Sequence, residues 1–228
     1  LKMISFLFRF VFIYLTYARA TAETFPWDWL GVQKPSARNS HSSVVYNGKM
    51  VVFGGNDGRF KNDAWTLDLT TFAWALLTTT GTKPSARHAH SSIVWNGKMV
   101  VFGGYDDSYK NDTWTIDLTQ SPPIWKEITT SSTKPSARGY YSSILYNGKM
   151  VIFGGYDATN HLNDVWTLDL TTYAWTELTA TDTKPSARRY HTSIVYNEQM
   201  IMFGGWDGGM KNDAWTLDLL FPPPLQSR

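Results

Sequence analysis

From Lys34 onward the chain alternates short apolar runs with polar punctuation on a fixed spacing. The first example, HSSVVYNGKMVVFGG from His41 to Gly55, has two apolar runs on either side of Asn47-Gly48. Asn-Gly most readily supplies the two positive φ angles of a type I′ turn, so the segment predicts a β-hairpin. Its second run, KMVVFGG, is apolar without alternation, as in a strand covered on both faces, and its glycine pair leaves room for a neighbouring backbone or indole. A loop carrying Asp57 follows. NDAWTLDLTT then predicts a third strand through Trp65, and FAWALL a fourth from Trp74 to Leu77. One unit is therefore a four-stranded antiparallel sheet with two apolar faces.

The unit restarts at Lys34, Lys83, Lys134 and Lys184, in steps of 49, 51 and 50 residues. The turn recurs as Asn96-Gly97 and Asn147-Gly148, but the fourth copy has Asn197-Glu198, where Glu must take an unfavourable φ or the turn must change type. Third-strand tryptophans recur at Trp114, Trp166 and Trp215, and fourth strands run from Trp125 to Ile128 and from Trp175 to Leu178. A single sheet with two apolar faces cannot bury itself, so neighbouring copies must cover one another. Most of the eleven Trp fall at fixed places in the repeat, which assigns them to packing between units.

The Gly-Gly pair, the Asp two residues later, the Asn-Asp-x-Trp strand and the period of about 50 residues resemble Kelch repeats. The resemblance covers residues 34 to 219. It implies an all-β fold, a β-propeller of four Kelch blades standing radially around a channel. The blades span about 34–80, 83–131, 134–181 and 184–219. The fourth unit runs into LFPPPLQSR, with prolines where a fourth strand is expected. In FPWDWLG, Trp27 and Leu30 repeat the aromatic-x-x-aliphatic spacing of a fourth strand. Residues 25–32 are therefore expected to complete the last blade and close the ring, which removes two sheet edges. The alternative is an open or dimerising arc, since four blades is the lower limit for propellers.

Residues 1–22 differ from all that follows. A basic residue, Arg9, precedes an apolar run from Phe10 to Tyr17, and small residues at Ala18, Ala20 and Ala22 follow, the form of a secretory signal cleaved near Ala20 or Ala22. The run is too short for a membrane span, which needs about 20 residues. A secreted or periplasmic location is expected. The whole chain has 21 basic and 19 acidic residues; without Lys2, Arg9 and Arg19 it carries 18 against 19, a net charge of −1. With no basic stripe in the mature part, no nucleic-acid partner is expected. There is no cysteine, so the exported domain is held by packing alone and has no thiolate metal site.

Comparing the four copies separates architecture from function. Residues present in every copy belong to the blade: Arg38, Arg87, Arg138 and Arg188 are expected to bridge adjacent blades, and Asp57, Asp106, Asp157 and Asp207 to cap the loop after the glycines. Variation concentrates after each of these Arg residues and in the loop between the second and third strands, which strand order places on one face. That face is the candidate binding site. Its loops carry Asn56, Arg59, Phe60, Tyr105, Tyr109, Tyr156, His161 and Trp206, and the segments leading into the blades add His88, Tyr140, Arg189 and Tyr190. Aromatics with Arg on rigid strands suit a protein hot spot or stacking against sugar rings.

Sharper chemistry is weaker. His41, His90 and His191, with Tyr141 in the remaining copy, share a position that radial blades place at an interface instead of a channel wall, so no metal or cofactor is expected. Kelch oxidases resembling galactose oxidase use a Tyr cross-linked to Cys, and this chain has no Cys. Specifier proteins resembling Kelch rings bind iron through Glu-x-x-x-Asp-x-x-x-His; Asp157 and His161 fit, but Phe153 stands in place of Glu. Asn111-Asp112-Thr113 is a glycosylation sequon. The reading is a non-catalytic, monomeric binding module that presents its loop face to a protein or glycan. The alternative is an exported sugar-acting enzyme resembling the Kelch sialate mutarotases.

Overall fold

A computed structural model describes residues 34–130, 133–179 and 183–220. The signal segment 1–22 and the closing strand expected at residues 25–32 lie outside the described residues. The protein is an all-β, four-bladed β-propeller. Sheet 1 is β1 (Ser42–Tyr46), β2 (Lys49–Phe53), β3 (Ala64–Asp68) and β4 (Trp74–Leu76). Sheet 2 is β5 (Ser91–Trp95), β6 (Lys98–Tyr105), β7 (Tyr109–Asp117) and β8 (Ile124–Ile128). Sheet 3 is β9 (Ser142–Tyr146), β10 (Lys149–Tyr156), β11 (His161–Asp169) and β12 (Trp175–Leu178). Sheet 4 is β13 (Thr192–Tyr196), β14 (Gln199–Phe203) and β15 (Ala214–Asp218), and has three strands among the described residues. Every sheet is a simple antiparallel meander. No helix among the described residues is long and apolar enough to cross a membrane.

The Asn-Gly hairpins form as expected, with φ of 46°, 46° and 44° at Asn47, Asn96 and Asn147. The fourth turn keeps the same type: Asn197 takes 46° and Glu198 is forced to 62°, the left-handed region that disfavours a side chain.

The continuous apolar character of each second strand has its cause in the packing. Val100 and Phe102 face sheet 3, while Met99 and Val101 between them face sheet 1, and all four are buried. One cluster joins Val44, Val51 and Phe53 to Met99, Val101 and Trp125. A second joins Ile93, Val100 and Phe102 to Met150, Ile152 and Trp175. A third joins Ile144, Val151 and Phe153 to Met200, Met202 and Leu219. The glycine pair serves the same contact: a Cβ on Gly54 would stand 2.7 Å from the Arg87 carbonyl oxygen, so only glycine admits the next blade's backbone.

The repeated arginines depart from the expected role. Each guanidinium pins the segment leading into a blade onto that same blade, and the backbone of that segment makes the bridge to the preceding one. Arg138 donates to both carboxylate oxygens of Asp164 at 2.7 Å, to the Gly154 carbonyl at 3.1 Å, and to the Ser136 hydroxyl and carbonyl at 3.0 and 3.1 Å. Gly104 N–H meanwhile donates to the Arg138 carbonyl, and Arg138 N–H to that of Lys110, across the interface of sheets 2 and 3. The loop aspartates do cap their loops: Asp157 Oδ1 accepts from the amides of Thr159 and Asn160, and Asp57, Asp106 and Asp207 pair with Lys61, Lys110 and Lys211.

Candidate functional site

In each blade, the residue after the repeated Arg pairs with the residue after the glycines: Asn39 with Asn56, His88 with Tyr105, Gly139 with Tyr156, Arg189 with Trp206. This bridge brings the two variable regions to one face, and the sheets then set the blades side by side. The following residues are linked from blade to blade, Ala89 N–H to the Ser40 carbonyl, Tyr140 N–H to Ala89 and Tyr190 N–H to Tyr140. All four of these residues have positive φ, 52° to 62°, without being glycine. That conformation turns Tyr140 and Tyr190 onto the loop face. The sequence carries no signal for it, because Ser, Ala and Tyr are not residues that prefer it.

The aromatic positions connect. Phe60 stacks on His88 with ring centroids 4.8 Å apart; His88 meets Tyr105 and Tyr140 edge-on at 5.6 and 5.9 Å; Tyr105 meets Tyr109 at 5.0 Å; and Tyr109 reaches Tyr156 in the next blade at 5.7 Å. Tyr156 contacts His161 at 5.4 Å, and Tyr140 contacts Tyr190 at 4.7 Å. The Arg189 guanidinium lies over the Tyr156 ring at 4.7 Å and the Tyr190 ring at 5.0 Å, within cation–π range of both. Nine of the expected residues thus form one continuous surface across all four blades. His88 is its floor, only 9 % exposed, and Tyr190 its most open member at 55 %.

The remaining three stand apart. Asn56 uses its Oδ1 to accept from Gly58 N–H, Arg59 is exposed at the loop tip, and Trp206 joins the face through backbone pairing with Arg189 and Met210. Met210 was not expected. It is 90 % exposed and occupies the position held by Phe60, Tyr109 and His161 in the other blades, so comparison of the copies would have found it. The sequon at Asn111 is half-buried in β7, where its amide donates to the Pro135 carbonyl at 3.4 Å, which ties it to the next blade.

Burial holds the His88 imidazole below its ordinary pKa and pushes the Tyr109 phenol up to about 12, with Tyr140 also raised. These shifts keep His88, Tyr109 and Tyr140 neutral at neutral pH, and the Arg189 guanidinium stands at the sheet 3 to sheet 4 end. The equivalent histidines lie elsewhere, in the interfaces: His90 against Phe53 at 5.3 Å and His191 against Phe153 at 5.2 Å, while Tyr141 donates to the Phe102 carbonyl at 2.5 Å. Among the described residues, no three His, Asp or Glu side chains gather to hold a metal ion.

Comparison with known proteins fits this geometry. A family model described as the KLHDC2/KLHL20/DRC7 Kelch-repeats domain matches residues 13–122 and 96–221. The chain belongs to the Kelch-repeat family. This Kelch protein is 32 % identical over 141 residues to a Drosophila melanogaster leucine-zipper-like transcriptional regulator 1 homolog, covering 59 % of this chain and 14 % of the relative. It is 30 % identical over 155 residues to the human Kelch domain-containing protein 3, covering 61 % and 40 %. It is 32 % identical over 152 residues to the Arabidopsis thaliana acyl-CoA-binding domain-containing protein 4, covering 61 % and 23 %. The matches thus span well under half of each of these relatives.

Proposed function

We propose that this Kelch propeller is a protein-binding module whose docking surface is the loop face from Phe60 to Tyr190. The observation that carries this reading is the continuity of the cluster: rings from all four repeats touch, stacked or edge to face, and the Arg189 guanidinium lies over two of them. Such a surface gains from burial of large apolar area at low entropic cost, and Tyr and Arg are the residue types that dominate interface hot spots. Repeated residues are consumed by the blades, through the Arg–Asp and Asp–Lys pairs, whereas the residues that differ between copies carry the face. The signal-like pattern of residues 1–22 supports a site of action outside the cytoplasm, and the packing of the blades on one another suits a domain without disulfides.

A phage-displayed random peptide library panned on the protein, in parallel with a glycan array, tests the reading. Peptides enriched on the native chain are expected to be lost on Arg189→Ala and Tyr105→Ala, each by at least about tenfold in affinity, or about 1.4 kcal/mol. Enrichment that survives both substitutions would place binding elsewhere. Glycan binding that depends on the same residues would replace the protein partner by a sugar.

A further inference from the structure

The tyrosine cluster of the loop face contains one charged side chain that the blades do not use. Each repeated arginine holds an aspartate of its own blade, Arg38 with Asp63, Arg87 with Asp112, Arg138 with Asp164 and Arg188 with Asp213. The loop lysines are engaged too, Lys61 with Asp57, Lys110 with Asp106 and Lys211 with Asp207. Arg189 has no carboxylate partner among the described residues, and its Nε is buried without an acceptor. The positions equivalent to it are Asn39, His88 and Gly139, so this cation belongs to one blade and to no repeated contact.

The surroundings of Arg189 are tyrosines. Its guanidinium lies over the Tyr156 ring at 4.7 Å and the Tyr190 ring at 5.0 Å. Tyr190 touches Tyr140, and Tyr156 touches Tyr109. Burial is the largest influence on the Tyr109 phenol, and Tyr140 and then Arg189 come next, which gathers these groups around one point. Tyr109 and Tyr140 stay protonated at neutral pH and offer O–H donors in the same cluster as the cation. A half-buried guanidinium without a counter-charge is costly to the free protein, and an oxyanion supplied by a ligand removes that cost through charge-assisted hydrogen bonds.

Two recognition elements therefore stand side by side, a row of neutral rings from Phe60 to Tyr156 and a single cation at its end. The carboxylate of an Asp or Glu side chain satisfies the second element alone, and an ordinary aromatic side chain the first alone. A tyrosine carrying an anionic ester satisfies both, ring against ring and oxyanion against guanidinium. Charge separates the two esters. A phosphate brings about −1.5 to −2 at neutral pH, whereas a sulfate monoester brings one permanent charge, which a single guanidinium balances.

Taking the loop face as a protein-docking surface, on which this inference rests, we propose that it recognises an O-sulfated tyrosine of the partner. The sulfate sits on Arg189 and the ring lies against the Tyr109–Tyr156 pair. Arg189 is then the residue that sets specificity, and the tyrosine row supplies the apolar contact.

The N-acetyl amides of tyrosine O-sulfate, tyrosine O-phosphate, tyrosine and glutamate are titrated separately into the full chain at neutral pH and followed by ligand-observed NMR. The sulfate is expected to bind most tightly, by about tenfold or more over tyrosine and glutamate, and to weaken as salt is raised. Arg189→Gln should bring the sulfate down to the affinity of unmodified tyrosine, with the circular dichroism unchanged. Lys149→Gln removes the same charge at the hairpin end of sheet 3 and should have no effect. Should Arg189→Gln fail to fold, the order of the four probes on the native chain still decides. Equal affinity for the sulfate and for tyrosine, a first place for phosphate or glutamate, or a preference that survives in folded Arg189→Gln would each overturn the proposal. Panned peptides that still depend on Arg189 and Tyr105 would then leave the docking surface standing and remove the sulfate alone; loss of both results removes both readings.

Discussion

Replacing Asp164 by Asn isolates the contribution of one Arg–Asp pair. The Arg138 side chain is wholly buried, and its five N–H donors are all used: two on Asp164, one on the Gly154 carbonyl and two on Ser136. Burial raises the Asp164 carboxyl, but hydrogen bonding and charge from Arg138 outweigh it and hold the group below its ordinary pKa. Asn keeps one acceptor and turns an amide N–H toward a guanidinium donor, leaving a buried cation without its counter-charge. Removing one partner of a buried pair costs about 3–5 kcal/mol. Asp164 is 23 % exposed, so the lower end applies, with about 1 kcal/mol more from weakening the Trp166 indole bond to Oδ2, 2.7 Å in the native protein. Urea unfolding followed by tryptophan fluorescence should show a midpoint lower by about 1–2 M at unchanged slope, taking a slope of roughly 2–3 kcal/mol/M. Replacing both partners by apolar residues of similar volume should recover much of the loss. A shift under about 0.3 M for Asp164→Asn, roughly 1 kcal/mol on that slope, would refute the view that these pairs anchor the blades.

Three further outcomes are expected. Glu198→Gly relieves the left-handed strain of the fourth hairpin and should stabilise the protein by about 0.5–1 kcal/mol, seen as a melting temperature about 2 °C higher. Burial lowers the His90 pKa to about 3 and that of His191 to about 4, so the unfolded chain takes up their protons first. Stability should therefore fall as pH drops from about 6.5 towards those values. His90→Tyr, which copies Tyr141 and its bond to the preceding Phe carbonyl, should flatten that slope in denaturation measured across pH 4–7, and an unchanged slope would exclude His90 as its source. The ion pairs of Asp57 and Asp207 with Lys61 and Lys211 hold both carboxyls down to about 2, so their contribution is present above pH 4 and is lost between about pH 4 and 2. Asp57→Asn should remove part of the acid sensitivity in that lower window.

Much of the fold was legible because every local signal agreed with the global one. The Asn-Gly turns, the non-alternating second strands and the 50-residue period each point to radial blades that cover one another. The arginine role was misassigned because sequence spacing gives proximity, not the direction of a side chain: Arg138 turns onto its own blade while its backbone crosses to the neighbour. The site was legible as a face, since differences between copies marked it, but its connectivity was not. The contacts of Tyr140 and Tyr190 depend on a left-handed backbone that nothing in their identity announces. Met210 was overlooked because it is the one aliphatic member of an otherwise aromatic position.

The central claim, that this Kelch propeller binds a partner through its loop face, is tested most directly by hydrogen–deuterium exchange with and without an enriched peptide. The account predicts added protection in the loops around residues 56–60, 105–109 and 156–161 and in the segments 88–89, 139–140 and 189–190, with none at the hairpin turns of Asn47, Asn96, Asn147 and Asn197. Protection centred on those turns, and absent from the loop face, would contradict it.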